Sequence, residues 1–270
     1  MQKLEDEMRG KVVIVTGGNN GIGSGCARAF CFYGSNVVIA ARNENKGKTL
    51  ADELTESGPG RCIFYKCDVS KAEEVKALVE YTVQEFGQLD CIINNAGYLP
   101  KHSPIDGISE DDFEKVLRTN LVGVFSGCKY SLPYLRKSGG TIINMSSILG
   151  SVGQEGSSIY SATKGGIISL TKSLAIDEAK HGVRVNVVLP GDIGTDLGRD
   201  HMQELIEKKK SENNPTYVQW IQRQGNVLDT GWTCLFLASS MAAYMTGAEI
   251  NVSGGFELGN GIKVSRYKEE

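Results

Sequence analysis

Tyr160 and Lys164 lie four residues apart in this chain of 270 residues, and Ser147 precedes Tyr160 by thirteen residues. Residues four apart in a helix project from the same face, so the phenol and the ammonium group are predicted to be neighbours. A phenol has an ordinary pKa of about 10 and exchanges protons poorly near neutral pH unless a positive charge stabilises its anion. The spacing therefore predicts proton transfer at an alcohol or carbonyl oxygen.

A glycine-rich segment at 17–23 follows an apolar run at 12–16 and precedes a helical pattern that begins at Gly21. Glycines at such a turn let the backbone approach a pyrophosphate, and the amides at the helix start face its charge. A glycine cluster alone also fits a mobile turn, but its place between a strand and a helix favours dinucleotide binding. We therefore expect an NAD(P) cofactor and hydride transfer to or from its nicotinamide.

The second predicted strand ends at Ala41, and Arg42 follows it. An acidic residue at this place would bind the adenosine ribose of NAD. Ala41 accepts no hydrogen bond from a ribose hydroxyl, whereas Arg42 suits a 2′-phosphate through charge-assisted hydrogen bonds. The sequence therefore favours NADP(H). A solvated Arg42, or one that stacks on adenine, is the alternative.

Apolar strand-like runs alternate with helix-like segments along the chain. We predict strands at 12–16, 36–41, 62–66, 91–94, 141–145, 183–189 and 249–252. We predict helices at 21–34, 44–56, 72–86, 111–137, 157–180 and 230–238. The alternation favours a doubly wound parallel sheet, a Rossmann-like α/β fold with helices on both faces. We see no internal repeat and expect a single domain over residues 1–270.

Composition and charge argue against several classes of function. Hydrophobic residues make up 40% and charged residues 23%, which is ordinary for a soluble globular protein. A net charge of −3 gives no electrostatic reason to expect nucleic acid or an anionic membrane as a partner. No run approaches the roughly 20 apolar residues of a membrane span, and the N-terminus lacks a signal-peptide pattern. We therefore expect a cytoplasmic protein.

The seven cysteines show neither metal-site nor disulfide-scaffold spacing, and their number is odd. We interpret them as small buried hydrophobic residues in a reducing compartment. His102 and His181 have no second ligand at metal spacing, so we expect no metal site.

Four features occur in order along the chain: the glycine turn, the Asn94–Gly97 segment, Ser147 and the Tyr160–Lys164 pair. With them the chain resembles the short-chain dehydrogenase/reductase family, from about residue 10 to residue 259. The resemblance implies that Tyr160 is the general acid or base, that Ser147 holds the substrate oxygen, and that Lys164 lowers the pKa of the tyrosine. It also implies that Asn120 holds a water molecule in a proton relay.

The family resemblance further implies a set of cofactor contacts. They are Gly17, Asn20, Gly21, Ile22, Gly23, Arg42, Asp68, Val69, Asn94, Ala96, Gly97, Tyr160, Lys164, Pro190, Gly191, Ile193 and Thr195. Of these, Asp68 and Val69 would contact adenine, and segment 190–195 would close over the nicotinamide carboxamide. The family also implies a homo-oligomer, a dimer or a tetramer, built on the helices at 111–137 and 157–180 and on the tail at 251–259.

Segments 132–137, 147–154 and 257–259 are similar to those of the 17β-hydroxysteroid dehydrogenases, a branch of the family. This narrower resemblance implies a 17β-hydroxysteroid substrate, and it implies NAD, against the preference for NADP(H) that Arg42 indicates. A sugar or another small secondary alcohol is the alternative substrate. A catalytically idle dinucleotide sensor and an assembly scaffold are alternatives from other classes.

We expect Ser147, Tyr160, Gln154 and Tyr98 to contact the substrate, because Gln154 and Tyr98 follow strands on the predicted catalytic side. A surface position is the alternative for Gln154 and Tyr98. The polar segment 194–224 interrupts the alternation, and we predict that it forms a substrate lid within the single domain. An ordinary amphipathic helix is the alternative for that segment.

Overall fold

A computed structural model describes residues 2–195 and 219–258 of the chain. Its strands are β1 (Val12–Thr16), β2 (Asn36–Ala41), β3 (Cys62–Lys66), β4 (Cys91–Asn94), β5 (Thr141–Met145), β6 (Arg184–Pro190) and β7 (Glu249–Val252). Its α-helices are α1 (Gln2–Met8), α2 (Gly21–Phe32), α3 (Glu44–Ser57), α4 (Ala72–Phe86), α5 (Glu110–Leu117), α6 (Gly123–Ser138), α7 (Ser158–Ala179) and α8 (Val227–Ala238). A π-helical turn, Arg118–Val122, joins α5 to α6.

The strands form one sheet in the order β3-β2-β1-β4-β5-β6-β7, and neighbouring strands pair in parallel. The order reverses between β1 and β4, so the connections that leave these two strands diverge. In doubly wound sheets a ligand crevice forms at such a reversal, beyond the carboxyl ends of the strands. The predicted Rossmann-like fold is confirmed.

Each face of the sheet is covered by helices and carries its own hydrophobic core. On β1, Val12 and Ile14 belong to one core, whereas Val13 and Val15 belong to the other. The first core includes side chains from α4, α6 and α7, and the second includes side chains from α2, α3 and α8. Because both faces are buried, β1 is apolar along nearly its whole length and does not alternate with polar residues.

Helices α2 and α8 approach each other closely because glycines face each other at the contact. A Cβ on Gly25 would lie 2.3 Å from the carbonyl oxygen of Val227, and a Cβ on Gly231 would lie 2.5 Å from that of Gly25. The Sγ atoms of Cys26 and Cys234 are 3.7 Å apart at the same contact. All seven cysteines are buried with free thiols, as the sequence predicts.

The structure differs from the sequence prediction at two places, and it leaves a third prediction untested. Helix α1 was not predicted; it buries Met8, and Glu7 accepts hydrogen bonds from the backbone and hydroxyl of Ser240. The prediction of one helix over 111–137 is wrong at its centre, where the π turn intervenes. The predicted lid at 194–224 lies outside the described residues except for 194–195 and 219–224.

We expect Gly25→Ala to lower the free energy of unfolding by about 1–3 kcal/mol, because overpacking a close contact forces backbone shifts. The Tm should then fall by roughly 2–10 °C, which thermal unfolding followed by circular dichroism measures. Gly153→Ala is the control, since a Cβ there would meet no atom of the described residues within 4 Å. Equal Tm values for the two variants would contradict the close contact.

Candidate active site

A cleft of ≈ 390 Å³ opens at the carboxyl ends of β1 to β5, where the strand order reverses. Many of the residues predicted from the sequence line it. They are Gly17, Asn20, Gly21, Ile22, Arg42, Asp68, Val69, Ala96, Gly97, Tyr98, Tyr160, Lys164 and Thr195. The site residues thus converge from distant parts of the chain on one crevice, although their individual roles stay predictions.

The glycine turn presents bare backbone to this cleft. Gly17 and Gly21 adopt φ angles of +64° and +52°, in the left-handed region that favours glycine. A Cβ on Gly17 would lie 2.9 Å from the Cα of Ala96, so the turn has no room for a side chain. The side chain of Asn20 caps α2 by accepting a hydrogen bond from the Gly21 amide at 2.8 Å. A turn whose glycines leave backbone open at a helix start fits the pyrophosphate of a dinucleotide.

Arg42 and Asp68 lie at the end of the cleft formed by β2 and β3. Ala41 is buried at the end of β2, whereas Arg42 is exposed. Burial raises the pKa of the Asp68 carboxyl. Hydrogen bonds from Ser70 and the charge of Arg42 lower that pKa by more in total, so it lies below its ordinary value. An ionised carboxylate and a guanidinium group therefore face the part of the cleft that fits a nucleoside.

The Ser147 hydroxyl lies close enough to the Tyr160 phenol to lower the pKa of that phenol, and both residues are half-buried. Tyr160 lies in the first turn of α7. Ser147 follows β5 and begins a 3₁₀ turn, where its Oγ accepts a hydrogen bond from the Leu149 amide at 3.2 Å. Two hydroxyl groups from separate elements thus lie near each other beside the cleft.

Lys164 lies one turn after Tyr160 on α7 and is buried, with 3% of its surface exposed. Its Nζ donates a hydrogen bond to the carbonyl oxygen of Met145 at 2.9 Å and lies 5.5 Å from the centroid of the Tyr160 ring. Burial lowers the pKa of Lys164 to about 8. At neutral pH the side chain is therefore still mostly protonated, and it places a positive charge next to the phenol.

The predicted lowering of the tyrosine pKa by Lys164 is not seen in this structure. Burial raises the pKa of Tyr160 to about 12, and the hydrogen bond with Ser147 offsets only part of that effect. The physical reason is that burial disfavours the phenolate, while the ammonium group is directed at the carbonyl of Met145. The protein by itself therefore keeps the phenol protonated near neutral pH.

Asn120 lies in the π turn and is fully buried. Its Oδ1 accepts a hydrogen bond from the Tyr98 amide at 2.7 Å, and its Nδ2 donates to the Tyr98 carbonyl at 2.9 Å. Nδ2 also donates to Thr163 Oγ1 at 3.3 Å. The side chain is thus committed to protein partners, so a water in the predicted relay would have to use the main chain of the π turn, where backbone hydrogen bonding departs from the α-helical pattern.

Several predicted cofactor contacts do not line the cleft. Asn94 is buried below it, where its Nδ2 donates to Asn144 Oδ1 at 2.9 Å, so its predicted contact is not supported. Gly23 supports the glycine turn from behind, because a Cβ there would lie 2.3 Å from the carbonyl oxygen of Gly17. Gln154, a predicted substrate contact, lies on the loop before α7 and also does not line the cleft.

The segment after β6 reaches the cleft through its last described residue. The Gly191 amide donates to the carbonyl of Val252 at 3.0 Å, and Ile193 forms an isolated bridge with Gly225. Three predicted cofactor contacts therefore do not line the cleft: Pro190, Gly191 and Ile193. Thr195 does line it, and its Cγ2 would lie 3.2 Å from a Cβ on Gly21. The segment therefore meets the glycine turn at Thr195.

Sequence reasoning missed several cleft residues, among them Asn19, Asn43, Asn95 and Ser146. Asn95 holds the ends of β1 and β4 together, because its Nδ2 donates to the carbonyl of Thr16 at 2.9 Å. Its place beside Asn94 in the motif was the available signal, since successive strand residues point to opposite faces. Ser146 could have been predicted as a cleft residue in the same way, because it directly follows the end of β5.

Within residues 2–195 and 219–258, no three His, Cys, Asp or Glu side chains are grouped so that they could hold a metal ion. In the same part of the chain, no helix is both long and apolar enough to cross a membrane.

Comparison with known proteins agrees with this geometry. Residues 17–257 match the family model described as "Enoyl-(Acyl carrier protein) reductase". The chain is 42% identical over 252 residues to an L-fucose dehydrogenase of Oryctolagus cuniculus, covering 93% of this chain and 87% of the relative. It is 40% identical over 253 residues to the "Short chain dehydrogenase/reductase astE" of Aspergillus oryzae, covering 93% and 96%. The crystal structure of levodione reductase matches with a TM-score of 0.86 at 28% identity, covering 93% of this chain and 98% of that one.

The narrower resemblance to the 17β-hydroxysteroid dehydrogenases is not confirmed, because four relatives at 40–42% identity are named L-fucose dehydrogenases. The broader resemblance is confirmed by the family model, which spans most of the chain, and by relatives at 40–42% identity over more than nine-tenths of it. With the Tyr160–Ser147–Lys164 arrangement at a dinucleotide cleft, these matches show that the chain belongs to the short-chain dehydrogenase/reductase family.

Proposed function

We propose that the protein is a sugar dehydrogenase, which moves a hydride between an NAD(P) cofactor and a hydroxyl-bearing carbon of a sugar such as L-fucose. The observation that carries the reaction type is the grouping of the Ser147 and Tyr160 hydroxyls beside the buried Lys164, at the end of a cleft that fits a dinucleotide. The substrate class is supported by the names of the relatives, four of which are L-fucose dehydrogenases at 40–42% identity.

A bound nicotinamide cofactor would supply or accept the hydride and, in its oxidised form, add a positive charge at the site. The glycine turn and the start of α2 would hold its pyrophosphate. Arg42 and Asp68 would hold its adenosine end, and Lys164 and Gly97 line the opposite end of the cleft.

Tyr160 would exchange the proton of the reacting hydroxyl. Because its pKa is raised to about 12, the phenol starts as a proton donor, which suits carbonyl reduction directly. Alcohol oxidation needs the phenolate, and positive charge at the site favours that form. Ser147 would donate a hydrogen bond to the substrate oxygen as its charge develops.

Three other functions have less support. A 17β-hydroxysteroid substrate is not supported by the relatives, which are named for a sugar. A catalytically idle dinucleotide sensor does not need a proton donor, yet Ser147, Tyr160 and Lys164 are brought together at the cleft. An assembly scaffold would need neither the proton donor nor the cleft.

We also propose a homo-oligomer that covers the outer face of α5, α6 and α7. Phe113, Phe125 and Ile176 lie on these helices and are 42%, 49% and 79% exposed. Exposed apolar side chains on neighbouring helices favour contact with another protein surface. The expected cytoplasmic location stays a prediction.

We expect purified protein to oxidise L-fucose with kcat/KM at least about 10-fold above the values for D-fucose, 2-propanol and a 17β-hydroxysteroid, since a site that binds hydroxyl groups rejects analogues that mismatch them. Absorbance of the reduced cofactor at its nicotinamide band measures the rate. A clear preference for the steroid would contradict the proposed substrate, and tight cofactor binding without turnover of any alcohol would favour the sensor reading. Tyr160→Phe is the matched control; it should lose about 10²–10⁴-fold in kcat and keep its affinity for the cofactor.

We expect a preference for NADP⁺ over NAD⁺, because Arg42 lines the cleft and no acidic residue ends β2. Arg42→Ala should lower kcat/KM for NADP⁺ by about 10–100-fold, the effect of losing charge-assisted hydrogen bonds to a phosphate, and should leave NAD⁺ nearly unchanged. Lys46→Ala is the control, since Lys46 carries the same charge nearby on α3 but does not line the cleft. A wild-type preference for NAD⁺, or equal effects of the two substitutions, would reverse this assignment.

A further inference from the structure

Thr163 lies between Tyr160 and Lys164 on α7 and is 1% exposed. Its hydroxyl donates a hydrogen bond to the main-chain carbonyl of Tyr160 at 2.8 Å. A threonine in a helix often bonds in this way to a carbonyl of the preceding turn. Here that turn is the one that carries the proposed proton donor.

The same hydroxyl oxygen has a second partner outside the helix. It accepts a hydrogen bond from Asn120 Nδ2 at 3.3 Å. The remaining bonds of Asn120 go to the amide and carbonyl of Tyr98, in the loop that follows β4. Thr163 is therefore the point at which α7, the π turn and the Tyr98 loop meet.

This meeting point is closed to solvent, because Asn120 is 0% exposed and Thr163 is 1% exposed. A buried N–H that loses its acceptor has no water to replace it, so neighbouring groups must move or the bond energy is forfeited. Loss of the Thr163 hydroxyl would therefore disturb both sides of the junction. One side carries Tyr160, and the other carries Tyr98 at the cleft.

We propose that Thr163 is a positioning residue, whose hydroxyl holds the Tyr160 turn of α7 in register with Asn120 and the Tyr98 loop. Proton transfer depends on sub-ångström placement of the donor, so a loosened turn lowers turnover more than it lowers cofactor affinity. The consequence for turnover rests on the proposed function, because it takes Tyr160 to be the proton donor. The structural junction itself does not depend on it.

Thr171 provides a matched control on the same helix. It is 0% exposed, its hydroxyl donates to the carbonyl of Ile167 at 2.8 Å, and it accepts a hydrogen bond from Asn144 Nδ2 at 2.9 Å. The bonding pattern thus repeats that of Thr163, with a main-chain carbonyl below and a buried asparagine amide beside it. Thr171 does not line the cleft and lies two turns beyond Lys164.

The test compares Thr163→Val, Thr163→Ser and Thr171→Val, with Tm, cofactor Kd, kcat and amide hydrogen exchange measured for each. Valine keeps the shape of threonine and removes the hydroxyl, so both valine variants should lose similar stability. Thr163→Val should lower kcat by about 10-fold or more with the cofactor Kd within about 2-fold, whereas Thr171→Val should keep kcat within about 2-fold. Thr163→Ser keeps the hydroxyl and should restore kcat.

Hydrogen exchange tests the junction without a substrate. The Tyr98 amide, which is bonded to Asn120, should exchange faster in Thr163→Val than in wild type, and Thr171→Val should leave it unchanged. Equal losses of kcat in the two valine variants, or an unchanged Tyr98 amide in Thr163→Val, would overturn the proposal. A wild-type protein that oxidises no sugar would refute the proposed function, but the exchange result would still decide the role of Thr163.

Discussion

Lys164 carries its charge at a place that solvent hardly reaches, and the active-site arrangement depends on holding that charge there. Its pKa of about 8 lies below the ordinary 10.5, so keeping it protonated at neutral pH costs roughly 3 kcal/mol of folding free energy. Between these two values the unfolded chain binds more protons, so this cost shrinks as the pH rises. A group that lowers stability in this way is retained where its charge is used, which here is beside the phenol of Tyr160.

The fold supplies the rigidity that this charge requires. The end of β5 holds Lys164 twice, because the Met145 carbonyl accepts from Nζ at 2.9 Å and Ser146 Oγ donates to the Lys164 carbonyl at 2.8 Å. Ser147, the next residue, lies close enough to Tyr160 to lower the pKa of its phenol. Three consecutive residues at one strand end therefore contact or approach the cation and the proposed acid/base group on α7. Because β5 is paired with β4 on one side and with β6 on the other, these residues are attached to a rigid part of the sheet.

Much of the fold was predictable because its buried strands are apolar runs bounded by glycines or polar turns. The proximity of Tyr160 and Lys164 was predictable because i, i+4 spacing fixes a shared helix face. The π turn at Asn120 was not, since local composition gives no sign of this widened turn, whose Asn120 side chain is hydrogen-bonded to the main chain of Tyr98. Which of Asn94 and Asn95 lines the cleft depends on the direction of each side chain at the end of β4, which the motif letters do not give. The raised pKa of Tyr160 depends on burial, which the motif letters do not give either. The proposed sugar substrate rests on the names of relatives and not on any residue pattern.

The most direct test is a titration of Tyr160 itself, by NMR of protein labelled with ¹³C at the tyrosine Cζ, with Tyr160→Phe to assign the signal. In the protein alone the phenol should stay protonated past the ordinary tyrosine pKa of about 10, because burial disfavours the phenolate and the Ser147 hydroxyl offsets only part of that effect. With saturating oxidised cofactor, the added positive charge should bring the pKa below that ordinary value. An identical Tyr160 pKa in the two titrations would contradict the account, since Lys164 and the cofactor would then not act together on the proton.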